Sequence, residues 1–411
     1  MTNYDGLFNK EYFGGRLNEN HFSNQKLHFK VIENGTIIPL KDVKGSGFFG
    51  GLMDDKGNFV KRTSVHAGVG EEVYTPNDEV IFSPATVIYL GMFIHIWGHC
   101  LTDNLKRLWF LKSDIYRKYF RNCPVVYTPM WGVVENFSKL LKILEIDENK
   151  LFVIDRPIKF ANVIVPDESF FLGKSNLGGR ADSIDGTADD FNGNDGGFFT
   201  NEYLETVNQI RNFADKNSSP LEQKKFYFIQ GRNQFGEERI AQYFMSKGYA
   251  VVKPENLRLE DQLNIYLNCE NWASMVGSIS HNTIFLRDNS NVVLIPRRAA
   301  YVNIYQLALN QLHNLDVNYI DAAFSVFTHD HTGPYCYILS ENLRKYFGDE
   351  VKEKYSEEDF ITFLAYFRVA KSQGLVENPN EIFYLQNIFP EFIAQLKTRE
   401  DLMQKFGIVI K

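Results

Sequence analysis

From Lys225 to Arg297 the chain alternates short runs of aromatic and β-branched residues with longer amphipathic segments, and this rhythm narrows the possible folds most. KKFYFIQGR reads as a strand ending in a glycine turn, EERIAQYFMSKG as a helix closed by glycine, and YAVVKP as a strand. LEDQLNIYLNCE reads as a helix, and WASMVGS and NVVLIPR as two further strands. Strand and helix alternating over short connections predict parallel strands joined by right-handed crossovers. Between the last two strands lies Gly277-Ser-Ile-Ser-His281-Asn282, a polar turn opening a short helix. In open α/β sheets, ligands bind outside the carboxyl ends of the strands, where such turns aim backbone N–H groups at an anion. On its own, a Gly-Ser turn is most simply a turn.

The 411 residues exceed one ordinary core and predict two domains. Residues 27–90 read as short strands separated by Gly, Pro and Asp, and Gly91–Tyr119 as helical, with Leu101, Leu105, Leu108 and Leu111 on one stripe. PVVYTP is then a strand, Val133–Leu144 a helix, and LFVIDRPIKFANVIVPD further strands. This predicts a first α/β domain over 1–172 and a second over 201–330, followed by a mostly helical region over 331–411. The intervening residues 173–200, rich in Gly, Asp and Asn, read as a flexible loop or linker. Within them, Asp190–Gly196 fails the EF-hand pattern, because its Gly falls one place late and no Glu closes the loop.

A net charge of −7 argues against a nucleic-acid binder driven by phosphate neutralisation. The N-terminus lacks a basic stretch followed by an apolar one, and the apolar run Ala85–Trp97 is too short to span a bilayer. Cys100, Cys123, Cys269 and Cys336 have no CxxC spacing and read as reduced thiols. A cytoplasmic enzyme fits, with peripheral association at the inner face of the membrane and oligomer formation left open. Phe (35) and Tyr (21) are abundant enough to fill a core and also to stack on sugar rings.

Two constellations carry polar chemistry. On an α-helix, His95, His99, Asp103 and Arg107 recur every four residues and share a face opposite the leucine stripe. Three readings compete: a self-paired solvated surface, a metal site, or a general base with electrostatic partners. A third metal ligand is not evident, and HExxH is absent. For acid–base work, Asp103 accepts the proton of a bound hydroxyl while His99 or Arg107 tunes it. The second constellation is Gly231-Arg232 after a strand, Arg239 and Gln262 on the next two helices, and Gly277, Ser278, Ser280, His281 and Asn282. Arginines at strand ends pair bidentately with phosphate oxygens; the competing reading for Arg239 is a salt bridge with Glu237 or Glu238.

Taken in order, these segments resemble glycosyltransferase family 61. GHCLTDNLKRL is similar to the family's His-x3-Asp/Glu-x-Leu-x-Arg-Leu helix. FIQGRNQFGEERIAQYFMSKGYAVVKPENLRLEDQLNIYLNCENWASMVGSISHNTIFL is similar to its run of an Arg after a strand, a second Arg opening a helix, a Pro-Glu, Gln-x-x-x-(F/Y) and a Gly-rich turn closing in Asn-x-x-Phe. The resemblance covers roughly residues 80–325, and the ordered series is more specific than any single match. It departs at His281, where the family commonly has a small or hydroxylated residue.

The resemblance implies the GT-B type of α/β fold: two Rossmann-like domains facing across a cleft, the second holding the nucleotide-sugar and the first the acceptor. It implies an inverting glycosyltransferase of polysaccharide biosynthesis, with a UDP-linked donor, a glycan or lipid-linked glycan acceptor, and no required cofactor or metal. In that reading Asp103 and His99 are catalytic, and His95 and Arg107 lie on the acceptor side. Arg232, Arg239, Gln262 and the Gly277–Asn282 turn then hold the donor diphosphate. A pyruvyl transferase using phosphoenolpyruvate, or a carbohydrate-binding relative without activity, remains as an alternative.

Overall fold

A computed structural model describes residues 2–7, 17, 19–43, 47–60, 74, 79–130, 135–171, 198–230, 234–298, 302–328, 333–377 and 389–408. Most of the loop expected over 173–200 lies outside these residues. The chain is mixed α/β, built on two separate main sheets. No helix among the described residues is long and apolar enough to cross a membrane.

The first sheet holds β2 (Phe29–Glu33), β3 (Thr36–Val43), β4 (Gly47–Met53), β5 (Ile81–Ile94), β6 (Val125–Met130), β7 (Leu151–Val153) and β8 (Ile158–Pro166), in the order β4-β3-β8-β5-β6-β7 with β2 also on β8. β8, β5, β6 and β7 run parallel, while β2, β3 and β4 are antiparallel additions. β5 is longer than the sequence predicts. Residues Gly91–Ile94, expected as helix, pair with β6 as strand, with Phe93 opposite Pro129 and Ile94 opposite Met130. The register shifts between Tyr89 and Met92, and Gly91 takes φ +93°, where a Cβ would lie 2.8 Å from Nη1 of Arg107. Only glycine allows this bulge and the guanidinium packed on it.

The expected helix after β5 forms in pieces. α1 (Trp97–His99) runs into a π-helical turn over Cys100–Asn104, and a 3₁₀ segment follows over Leu108–Lys112. Asn104 reaches back to the strand end, accepting from the Ile94 N–H (3.0 Å) and donating to the Ile94 carbonyl (3.1 Å). The leucine stripe does face the core, with Leu101, Leu105 and Leu108 fully buried and Leu111 packed at its margin.

The second sheet is entirely parallel. Its strands β1 (Thr2–Gly6), β11 (Lys225–Phe228), β13 (Ala250–Val252), β14 (Asn271–Met275), β15 (Asn291–Ile295) and β16 (Asp316–Ile320) lie in the order β1-β16-β15-β14-β11-β13. Residues Val292–Ile295 of central β15 are completely buried, as expected for a strand covered on both faces. The N-terminal strand was expected with the first domain but forms an edge of the second sheet. Its sequence, TNYDG, has no apolar alternation to reveal this; Thr2 pairs with Val317, and Tyr4 stacks on Tyr319. β9 (Phe170–Phe171) and β10 (Phe198–Phe199) form a small antiparallel pair, and β12 (Gln234–Phe235) and β17 (Tyr335–Cys336) a parallel one.

α3 (Asn201–Asn217) joins the two halves. Tyr203, Val207, Ile210 and Ala214 fall on one helical stripe and are buried. α3 packs on α2 (Glu135–Ile143) from the first half and on α5 (Leu259–Asn268) from the second. One continuous core contains Ile88, Phe93 and Leu101 from the first half with Trp272, Leu294 and Tyr319 from the second. At the C-terminus, α8 (Glu357–Ser372), α9 (Pro390–Lys397) and α10 (Glu400–Phe406) form their own apolar cluster beside β12 and β17, so they cover the second sheet's half.

The Tyr203 hydroxyl donates to the Leu101 carbonyl at 2.6 Å, both groups being buried. Tyr203→Phe leaves that carbonyl without this donor and is expected to lower unfolding free energy by about 1–2 kcal/mol in urea denaturation, with little change in secondary structure.

Candidate functional site

His99 and Asp103 form the centre of the first constellation. Nδ1 of His99 lies 2.7 Å from Oδ2 of Asp103, which also accepts from the Thr102 hydroxyl at 3.1 Å. The carboxylate is an acceptor, so Nδ1 carries the proton and Nε2 is the basic edge of the ring. Asp103 is 4% exposed, whereas His99 keeps 26% of its side chain exposed. This favours His99 as the group that meets a ligand, with Asp103 orienting it. The sequence reading put Asp103 forward as proton acceptor with His99 beside it, and left open which of the two is the base.

Behind Asp103 lies a buried chain of charges. Nζ of Lys106 sits 3.6 Å from Oδ1 of Asp103 and 2.8 Å from Oε1 of Glu168. Arg107 donates from Nη2 to the same Glu168 oxygen (2.7 Å) and from Nε to the Pro166 carbonyl (3.0 Å). Arg107 is therefore a buried clamp between β5 and the end of β8, not an acceptor-side contact. The i,i+4 series breaks at both ends. His95 precedes the helix, and both of its ring nitrogens are buried without a hydrogen bond among the described residues. Burial pushes its pKa below the ordinary value, so it remains neutral.

The second constellation meets the first at α1. The Trp97 indole N–H donates to Oδ1 of Asn282 at 2.8 Å. Next to it, a Cβ on Gly98 would lie 2.8 Å from Oγ of Ser278. The turn itself forms as expected, with β14 leading into a 3₁₀ segment over Ser280–Phe285 and then β15. Ser280 stays inside the turn, accepting from the Gly277 N–H (2.9 Å) and bonding to Oε1 of Gln306 (2.6 Å). Asn282 is spent between Trp97 and the Ile279 carbonyl. Both were expected to touch a diphosphate; instead they fix the turn and its contact with α1.

His281 sits beside these groups, close enough to His99, Asp103 and Arg297 to feel their charges. Its Nδ1 is 2.9 Å from Oε1 of Gln306. Burial, the largest influence, pushes its pKa down from 6.5 to about 4, so the ring is neutral at physiological pH. Arg297, which follows β15, was not singled out from the sequence. Gly277 has φ +146°, and a Cβ there would come within 2.0 Å of Nη2 of Arg297. The glycine makes a seat for this guanidinium, where the sequence reading had put phosphate against bare backbone. Arg297 donates from Nη2 to Oε1 of Gln230 (2.7 Å) and faces the Tyr335 ring, 5.5 Å from its centroid. Among the described residues no carboxylate forms a salt bridge with it.

Two other expected donor-binding residues, Arg239 and Gln262, are engaged in packing contacts. Arg232 is outside the described residues. Arg239 pairs with buried Asp359 and donates to the Ser356 hydroxyl (3.0 Å), tying α4 (Glu237–Ser246) to the N-terminus of α8. Gln262 donates to the carbonyls of Pro254 (2.9 Å) and Leu257 (3.0 Å) and accepts from Tyr266, which shapes the loop before α5. Among the described residues no group of three or more His, Cys, Asp and Glu is arranged to hold a metal ion. A scan against protein-family models found no match to this chain, and a search of curated proteins found none either.

His281 shares its depressed pKa with His313, which burial also pushes down to about 4. On acidification the unfolded chain binds these protons first. The associated stability is therefore complete above about pH 6.5, falls through the window to about 4, and is on the order of 3 kcal/mol for each ring. The thermal midpoint of the wild type is expected to fall through this window, and that of His281→Gln to fall less steeply.

Proposed function

We propose that the chain is an inverting glycosyltransferase of the GT-B type, transferring a sugar from a nucleotide-sugar, UDP-linked in the first instance, to a hydroxyl of a glycan acceptor. One observation carries the reading. The His99–Asp103 pair follows the carboxyl end of parallel β5, and the Gly277–Asn282 turn and Arg297 follow those of β14 and β15. The Trp97–Asn282 bond holds the two groups together. The imidazole that would serve as base thus follows a strand of one sheet, and a guanidinium with no salt bridge among the described residues follows a strand of the other, at the strand ends where α/β sheets bind ligands.

In this reading, His99 takes the acceptor hydroxyl's proton at Nε2 while the acceptor oxygen attacks the anomeric carbon. The new C–O bond forms as the bond to the diphosphate oxygen breaks, inverting the configuration. Asp103, bonded at Nδ1, holds the ring and stabilises the imidazolium, as a triad carboxylate does. Arg297 receives the charge that develops on the departing diphosphate. Lys106 and Glu168 keep Asp103 from turning away.

The decisive experiment is a thermal-shift and hydrolysis screen with UDP, GDP and CMP sugars and with phosphoenolpyruvate. Stabilisation by a nucleotide with slow hydrolysis of its sugar is expected. Stabilisation by phosphoenolpyruvate alone would replace this reading with pyruvyl transfer, and no response to any nucleotide would end it. With a donor in hand, His99→Ala is expected to lower kcat by about 10²–10⁴-fold with donor binding largely kept. Arg297→Met is expected to weaken nucleoside-diphosphate binding by roughly tenfold or more.

A further inference from the structure

We infer that His281 accepts a hydrogen bond from a hydroxyl of the donor sugar and does not bind the diphosphate. The Asn310 amide donates to the Tyr319 hydroxyl (3.1 Å), which turns Asn310 Oδ1 toward Gln306. Gln306 Nε2 donates to that oxygen (2.9 Å) and to Thr283 Oγ1 (3.1 Å), whose own proton goes to the Ser280 carbonyl (2.8 Å). Gln306 therefore presents its oxygen to His281, and Nδ1 must be the protonated nitrogen. Nε2 is left as a lone-pair acceptor and makes no hydrogen bond with any described residue.

Such a nitrogen repels a phosphate oxygen, since both bring lone pairs. It could donate only as an imidazolium, a state opposed by burial and by the neighbouring Arg297. A sugar hydroxyl, which can donate, is its complement. Arg297 packs on Gly277, at the head of the turn that carries His281, so a diphosphate held on the guanidinium would leave its attached sugar beside the ring. His281 then selects a donor sugar with a hydroxyl at this place over its deoxy counterpart, because the deoxy sugar leaves a buried acceptor unpaired.

The identity of the ligand rests on the glycosyltransferase reading; the acceptor character of the ring does not, and the two are tested separately. Nitrogen-15 NMR of the histidine-labelled full-length protein at neutral pH reads the tautomer directly. Protonated Nδ1 and bare Nε2 are expected for His281, and an Nε2–H tautomer or an imidazolium would overturn the inference whatever the protein binds. Binding is then measured for UDP and for UDP-glucose, UDP-galactose and UDP-N-acetylglucosamine. His281→Leu is expected to weaken the best UDP-sugar about tenfold while leaving UDP unchanged. Equal loss for both would put the ring on the diphosphate, and loss for neither would remove it from the site; each overturns the inference. If the wild type binds none of these, the functional reading fails and the tautomer alone decides the acceptor claim.

Discussion

The indole N–H of Trp97 donates to Asn282, and beside it Gly98 lies so close to Ser278 that a side chain there would strike the serine hydroxyl. This contact ties the segment after β5 of the first sheet to the turn after β14 of the second. Neither partner can move far. Asn282 is also tied to its own turn, and Trp97 opens a helix that Asn104 pins to the end of β5. The helix carrying His99 and the turn beside Arg297 are held together by this contact, by α3 and by a core continuous through both halves. The proposed transfer would need this kind of rigidity, since small displacements cost large factors in rate.

The charges behind the site follow the same logic. Burying Asp103, Lys106, Glu168 and Arg107 together is expensive unless each is paired and hydrogen-bonded, and here the two cations and two carboxylates alternate. Removing one member strands another in a poor solvent for ions, so the set behaves as a unit. Its surface-reaching end is His99. Across the seam lie His281 and Arg297, where the sequence reading had expected Arg232, Arg239, Gln262 and the turn to hold a diphosphate; an arginine suits an anion, and a neutral imidazole suits a hydroxyl.

The parallel sheet was legible because its strands are continuous apolar runs cut by Gly and Pro, and WASMVGS and NVVLIPR are β14 and β15 as expected. The pairing of His99 with Asp103 was legible for a similar reason, since spacing by four survives the change from α- to π-helical turns. What failed depended on distant partners. TNYDG gives no hint that it pairs with a strand more than three hundred residues away. Arg239 finds Asp359, and Arg107 finds Glu168, across separations that no local pattern encodes. Arg297 left one trace, a glycine at the turn, but a glycine reports only that something approaches closely, not what does.

The central claim is that the His99–Asp103 pair and the Gly277–Asn282 turn form one ligand site. Carbon-13 NMR of the histidine side chains, titrated with the UDP-sugar that binds best, addresses it most directly, with His99 and His281 assigned from single substitutions. The account requires both resonances to move with the same dissociation constant. If that UDP-sugar moves one ring alone, or neither, the two constellations do not share a ligand.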